Sequence, residues 1–220
     1  MTGFIIVLVC VGGSIAWGLY AGNKRRDDIG ILAKKLGLQC TPEKDDRVVE
    51  RYAFLNRLNK SSNRYARNFI EGTFRKHEIA AFDYQYETSG RTSKGYRQTD
   101  PHHFSYFILK LEKNCPKLTI ARKGLLLKFV QTAGHEEIDV DAEDFAKHFT
   151  VRSEDEAFAS AFCNERMRAY LLLHPDLNIE VDRNILAIGF NHRLKAQQFE
   201  TRLNELVEIR DRMPHDLFDS

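Results

Sequence analysis

The sequence predicts an α+β fold: an N-terminal transmembrane helix followed by a soluble domain of antiparallel strands with flanking helices. Three observations carry this. Residues 3–22 form a run of twenty without a charge. Beyond them, short apolar runs with a period of two follow one another across brief polar connections, as antiparallel strands do. Helical periodicities sit between and beside these runs, without the strict β–α–β alternation that a parallel sheet requires.

The charge-free run reads GFIIVLVCVGGSIAWGLYAG. As a helix it is about 30 Å long, the thickness of a hydrocarbon core. Trp17 and Tyr20 fall toward its C-terminal end, where amphipathic rings favour the interface. Lys24, Arg25 and Arg26 follow as a membrane-proximal basic stop. Ala16-Trp17-Gly18 offers a small-x-small cleavage site, but the basic n-region of a signal peptide is missing. The expectation is therefore a permanent anchor and stop over 1–26. Basic residues lie only after the span, so the positive-inside rule puts the N-terminus outside the inner membrane and residues 27–220 in the cytoplasm. Ser14, Gly18 and Gly22 recur every four residues. Such spacing lets a second helix approach, giving a homodimer through the transmembrane helix. The same stripe is also common in membrane helices that have no partner.

In the soluble part, Ile29, Leu32, Ala33 and Leu36 predict a short helix over 27–38, stopped at Gly37. A loop is expected over 39–47 and a helix over 48–58. Strands follow at 68–74, 78–87, 104–112 and 118–122, the last two separated by a turn at 114–117. Phe82, Tyr84 and Tyr86 alternate with Asp83, Gln85 and Glu87, one apolar face against one polar face. A short helix is expected over 124–133, a strand over 136–140, a helical turn over 141–147 and a strand over 149–152. Ser153-Glu154-Asp155-Glu156 reads as a capping box opening one helix to His174, with Phe158, Ala161, Phe162, Ala169 and Leu172 inward. A hairpin, 178–181 and 185–190, turns at 182–184. A final helix over 193–213 buries Phe199, Leu203, Leu206 and Met213 and ends at Pro214. The domain reads either as one unit or as two packed halves, about 27–134 and 135–220.

Charge divides these halves. Up to residue 128 there are 23 Lys and Arg against 12 Asp and Glu; beyond it, 10 against 19. The basic half adjoins the anchor. Lys24, Arg25, Arg26 and some of Arg57, Lys60, Arg64 and Arg67 are placed to meet anionic headgroups, or the two halves attract each other.

Chemistry-bearing motifs are sparse. The loop over 89–98 joins two strands and carries Arg91, Ser93, Lys94 and Arg97. Its glycines and cations suit an anion or a partner, although it lacks the P-loop order. A mobile hairpin tip is the plainer reading. Glu137, Asp139 and Asp141 share a face of one strand, a pattern that an ordinary half-exposed strand also gives. Cys40, Cys115 and Cys163 are far apart and without CxxC spacing, which argues for reduced thiols and against zinc. No metal, no cofactor and no catalytic motif is expected, and no nucleic-acid motif accompanies the basic residues.

One resemblance adds to this. An apolar N-terminal span, Phe82-Asp83-Tyr84-Gln85-Tyr86 leading to a Gly/Ser/Lys/Arg loop and Gln98-Thr99, then Gly134, an acidic strand to Asp139, Phe145 and a Ser-Glu-Asp-Glu helix start are similar to a group of uncharacterised bacterial single-pass membrane-anchored proteins. The resemblance covers roughly 50–190. It implies an anchor and a cytoplasmic domain, and no catalytic residues. The function expected is a membrane-anchored interaction or scaffold domain with the lipid bilayer and an unknown protein as partners. The alternative is a membrane-tethered enzyme acting on an anionic or lipid-derived substrate.

Overall fold

The structure, a computed structural model, describes residues 22–59, 62–91, 96–123, 137–138, 142–214 and 217. It is a mixed α+β fold built on one antiparallel sheet. Among the described residues, helix α1 spans 22–36. It is followed by β1 (Gln39–Thr41), α2 (Arg47–Arg51), β2 (Ser62–Phe74), β3 (His77–Arg91) and β4 (Arg97–Arg122). Then come α3 (Glu143–His148), β5 (Phe149–Ser153), α4 (Glu156–Phe162), α5 (Glu165–Leu173), β6 (Asn178–Gly189), a 3-10 turn (Ala196–Gln198) and α6 (Phe199–Arg212). The sheet order is β1-β2-β3-β4-β5, with β6 also paired to β4.

Both faces of the sheet are buried. On one, Ile79, Ala81, Phe107, Leu109, Leu186 and Ile188 pack under α1 and α4–α6. On the other, Ala80, Phe82, Tyr84, Tyr106, Ile108 and Ala187 pack under α2 and the turns that follow it. The helical faces expected of α1 and α6 hold. Ile29, Ala33, Phe199, Leu203, Leu206 and Met213 are buried, and Gly37 ends α1 at φ +71°, a conformation that favours glycine.

Several expectations fail for identifiable reasons. The predicted turn at 114–117 is a bulge inside β4, and the predicted hairpin over 178–190 is one strand, β6. The two bulge together: the β4–β6 register shifts on either side of Cys115↔Arg183, where Arg183 has φ +55°. Inward residues accordingly change from odd to even numbers along β4, from Leu111 to Leu118. A bulge thus imitates a turn in the sequence. The helix expected over 48–58 stops at Arg51 because its backbone is used elsewhere. Asn56 N–H donates to the Glu180 carboxylate, and the Leu58 carbonyl accepts from Tyr84 Oη at 3.1 Å.

Ser153 is not the helix cap either. Its hydroxyl donates to the Lys117 carbonyl at 2.6 Å, and Asp155 caps α4 by accepting from Phe158 N–H at 2.9 Å. The predicted single helix to His174 breaks at Asn164, which caps α5 through Met167 N–H at 3.0 Å. The break resets the helical phase, so Met167, Tyr170 and Leu171 turn inward while Ala169 is exposed. Asn164 Nδ2 also donates to the Arg212 carbonyl at 3.0 Å, tying α5 to the end of α6. Asn164→Ala should therefore cost about 1–2 kcal/mol, the usual worth of an N-cap, measured as a lower urea midpoint. The helix expected over 124–133 lies outside the described residues. Of the strand expected over 136–140, Glu137 bridges Arg152 and Ile138 N–H donates to the Val151 carbonyl.

Candidate functional site

Three polar features stand out from this scaffold, and the first joins α1 to the sheet. Asp83 lies on the face of β3 that the sequence pattern marks as polar, yet it is buried. Arg25 Nε donates to Asp83 Oδ2 at 2.7 Å and Nη2 donates to Oδ1 at 2.6 Å, a two-pronged pair. Asn68 Nδ2 and the Ser105 hydroxyl each add a bond at 2.9 Å, one per carboxylate oxygen. The Ser105 hydroxyl accepts from Leu194 N–H, and Arg25 Nη1 donates to the Leu194 carbonyl. Asn68 reaches Asp83 because β2 bulges there: the register shifts between Arg67 and Ile70, and Asn68 takes φ +49°. A bulge re-aims a side chain, and asparagine tolerates this backbone better than most residues.

This corrects the expectation for the basic stop. Arg25 is only 14% exposed and faces the domain, so its guanidinium is unavailable to lipid headgroups. Lys24 and Arg26 are exposed, Arg26 pairing with Glu43 at 2.6 Å. Gly22 is exposed on α1, with nothing within 4 Å of an added Cβ; Ser14 and Gly18 lie outside the described residues. Among the described residues no helix is long and apolar enough to cross a membrane. The charge-free run itself lies outside them, apart from Gly22.

The second feature is the β3–β4 hairpin. Its ladder is unbroken from Ile79↔Leu109 to Arg91↔Arg97, which sets two cations directly opposite each other at the tip. Both are exposed beside an open hollow of about 480 Å³ lined with Ser89 and Gly90. Ser93 and Lys94 lie outside the described residues. Lower on the hairpin, Tyr86 stacks on His102 at 4.7 Å, and the Thr88 hydroxyl contacts His102 Nε2 at 2.9 Å.

The third feature is interior and had no forecast. Arg57, Tyr106 and Glu180 converge beneath the turns after α2. Tyr106 Oη donates to Glu180 Oε2 at 3.0 Å. Arg57 Nη2 donates to the Phe190 carbonyl at 2.8 Å, and its guanidinium lies 4.5 Å from the Phe104 ring centroid. Burial pushes the Arg57 pKa down to about 10 and raises that of the Glu180 carboxyl. Arg57, expected among the headgroup-facing residues, is thus an interior cation. The space beside the cluster is about 10 Å³, room for one water and for no substrate. Gly189 closes it. An added Cβ there would sit 2.7 Å from Tyr106 Cε2 and would also run into Arg57 Nη1. Both neighbours are buried, so Gly189→Ala should cost about 1–3 kcal/mol through overpacking, read as a lower thermal midpoint with secondary structure retained.

No family model and no curated protein matches the sequence. The fold is similar to that of one solved structure, the mycobacterial trehalose monomycolate transport factor A, TtfA. The two share 14% identity with a TM-score of 0.64, over 87% of this chain and 93% of that chain. Identity this low establishes a shared fold alone. The resemblance to single-pass membrane-anchored proteins thus narrows to a distant structural neighbour.

Proposed function

We propose that this chain is a membrane-anchored adaptor, held in the inner membrane by residues 3–22, whose cytoplasmic domain engages a protein partner in transport at the membrane. The observation that carries this reading is the Arg25–Asp83 pair. The first residues after the charge-free run do not lead into a loose tether. They are clamped to the sheet by a buried, four-bonded carboxylate. A domain fixed in this way has a set orientation relative to whatever the preceding segment enters, which suits presenting a surface to a neighbour. The likeness to a transport factor fits an adaptor. The interior polar cluster of Arg57, Tyr106 and Glu180 opens on too little space for a substrate.

The test is made on the full chain in its native cells. It should stay with membranes through alkaline carbonate extraction, and proximity labelling from its C-terminus should mark membrane proteins with cytoplasmic faces. Release into the soluble fraction, or digestion by protease added outside intact cells, would sink the proposal.

A further inference from the structure

We propose that the β3–β4 hairpin tip is a second membrane contact, docking on anionic lipid headgroups through Arg91 and Arg97; this rests on the anchored reading above. The direction of α1 comes first. Arg25 meets Asp83, while at the other end of the helix Leu38 packs on Gly72, the cross-strand partner of Ile79. Helix α1 therefore runs back along β3 from the level of residue 83 toward that of 79. Its N-terminal end points the same way as the hairpin tip. From Asp83 to Arg91 the strand advances about 26 Å, whereas from Arg25 to Gly22 the helix advances about 4.5 Å. The hairpin outreaches the first described turn of α1 by roughly 20 Å on these rises. A bilayer entered at Gly22 then meets the hairpin, and its polar strands cannot enter hydrocarbon with an unpaired edge. They must lie along the headgroup layer.

The chemistry of the tip suits that layer. Arg91 and Arg97 are directly opposed, an arrangement that repels unless an anion sits between or beside them. Among the described residues neither has an ion-pair partner. Strand alternation puts Ser89 and Thr99, also cross-strand partners, on the same face as the two arginines. These supply hydroxyl donors for phosphate oxygens. Tyr96, 72% exposed, sits beside Arg97 with a ring of the type that favours the membrane interface. Arg25, buried on Asp83, leaves the headgroup role of the stop to Lys24 and Arg26, and the hairpin adds two cations to it at a distance.

The experiment uses the full chain in nanodiscs. Trp17→Phe with Tyr96→Trp leaves one tryptophan, at the tip, and a dinitrophenyl-headgroup lipid quenches it on contact. Quenching should be strong in discs containing phosphatidylglycerol and weak in phosphatidylcholine alone. The contact equilibrium should fall by more than thirtyfold on Arg91→Glu with Arg97→Glu, because losing two basic groups near an anionic leaflet accounts for about thirtyfold and the added carboxylates repel the leaflet. High salt should weaken the wild-type contact in the same direction. Both substitutions are exposed, and unchanged circular dichroism confirms the fold. Quenching that ignores lipid charge, or survives charge reversal, overturns the docking. Retention in the disc after an alkaline wash separates the two readings. A chain that washes out fails the anchored reading; a chain that stays but is not quenched fails only the hairpin contact.

Discussion

Asp83→Ala should destabilise the full chain in detergent by about 3–5 kcal/mol, because it strands the Arg25 guanidinium in a partly buried site with its carboxylate gone. The same change removes the acceptor of Asn68 Nδ2 and of the Ser105 hydroxyl, both buried. Surface ion pairs on this chain, such as Lys35–Glu200 or Lys110–Glu78, should give at most about 1 kcal/mol each. The contrast in burial decides which pair matters. Urea unfolding would measure the loss, and hydrogen exchange would locate it. Amides of 22–36 should lose protection first, since Arg25 is the main polar tie from α1 to β3. If Asp83→Ala costs no more than Lys35→Ala, the clamp is not what holds the helix.

A paired substitution sharpens this. Arg25→Met with Asp83→Leu should recover much of the loss, because replacing both members of a buried pair by apolar groups is often neutral or better. Its stability would return while the alignment that the charges specify is relaxed. In the nanodisc experiment the hairpin signal should then broaden toward intermediate quenching, even though the fold is restored. That outcome would separate a purely structural clamp from one that sets the orientation of the domain.

How far the sequence predicts these features depends on the range of the interaction. The ends of α1 and the strand alternation of β3 are local matters, governed by residues within a turn or two of each other. Periodicity therefore found the elements and the apolar faces of α1 and α6. It misread long strands as hairpins, because the paired bulges at Cys115 and Arg183 shift side-chain parity in the way that a turn does. It also took Asp83, in an alternating strand, for a solvent-facing residue. The face opposite the aromatic side is covered by α1, and only a contact 58 residues away in sequence makes that visible. Glu180 has the same history. Asn178 and Glu180 alternate with Ile179 and Val181, which suggests an exposed polar face. The turns after α2, more than a hundred residues earlier, bury it. The one available clue was an Arg57 set among apolar residues in Phe54-Leu55-Asn56-Arg57-Leu58. A lone cation in such a run calls for an interior partner, although the sequence does not say which.

That interior cluster carries the second large effect. Glu180→Ala should cost about 3 kcal/mol, because Asn56 N–H and Tyr106 Oη both lose their acceptor in a buried site, each worth about 1–3 kcal/mol when left unsatisfied. Glu180→Gln keeps the shape and one acceptor oxygen, and should cost far less. The two variants also separate by pH. Burial raises the Glu180 carboxyl above its ordinary 4.5, against the hydrogen bonds from Asn56 and Tyr106 and the charges of Lys117 and Arg57, which pull it down. Below the ordinary value the group is protonated in both folded and unfolded chains, and it contributes nothing to pH dependence. As pH rises past that value the unfolded chain releases its proton first, so unfolding gains and stability falls until the folded carboxyl also ionises. Carboxylates held below their ordinary values, Asp45 by Arg47 and Glu112 chiefly by its hydrogen bonds with Arg210 helping, act oppositely and lose stabilisation as pH drops. The wild-type curve mixes these trends, so the informative quantity is the difference between wild type and Glu180→Gln. It should be flat below pH about 4.5 and should shift in favour of the glutamine variant as pH rises toward neutrality. A difference that stays constant across that range would mean the carboxyl ionises freely in the folded chain, and the cluster would then have to be hydrated well beyond the one water its space holds.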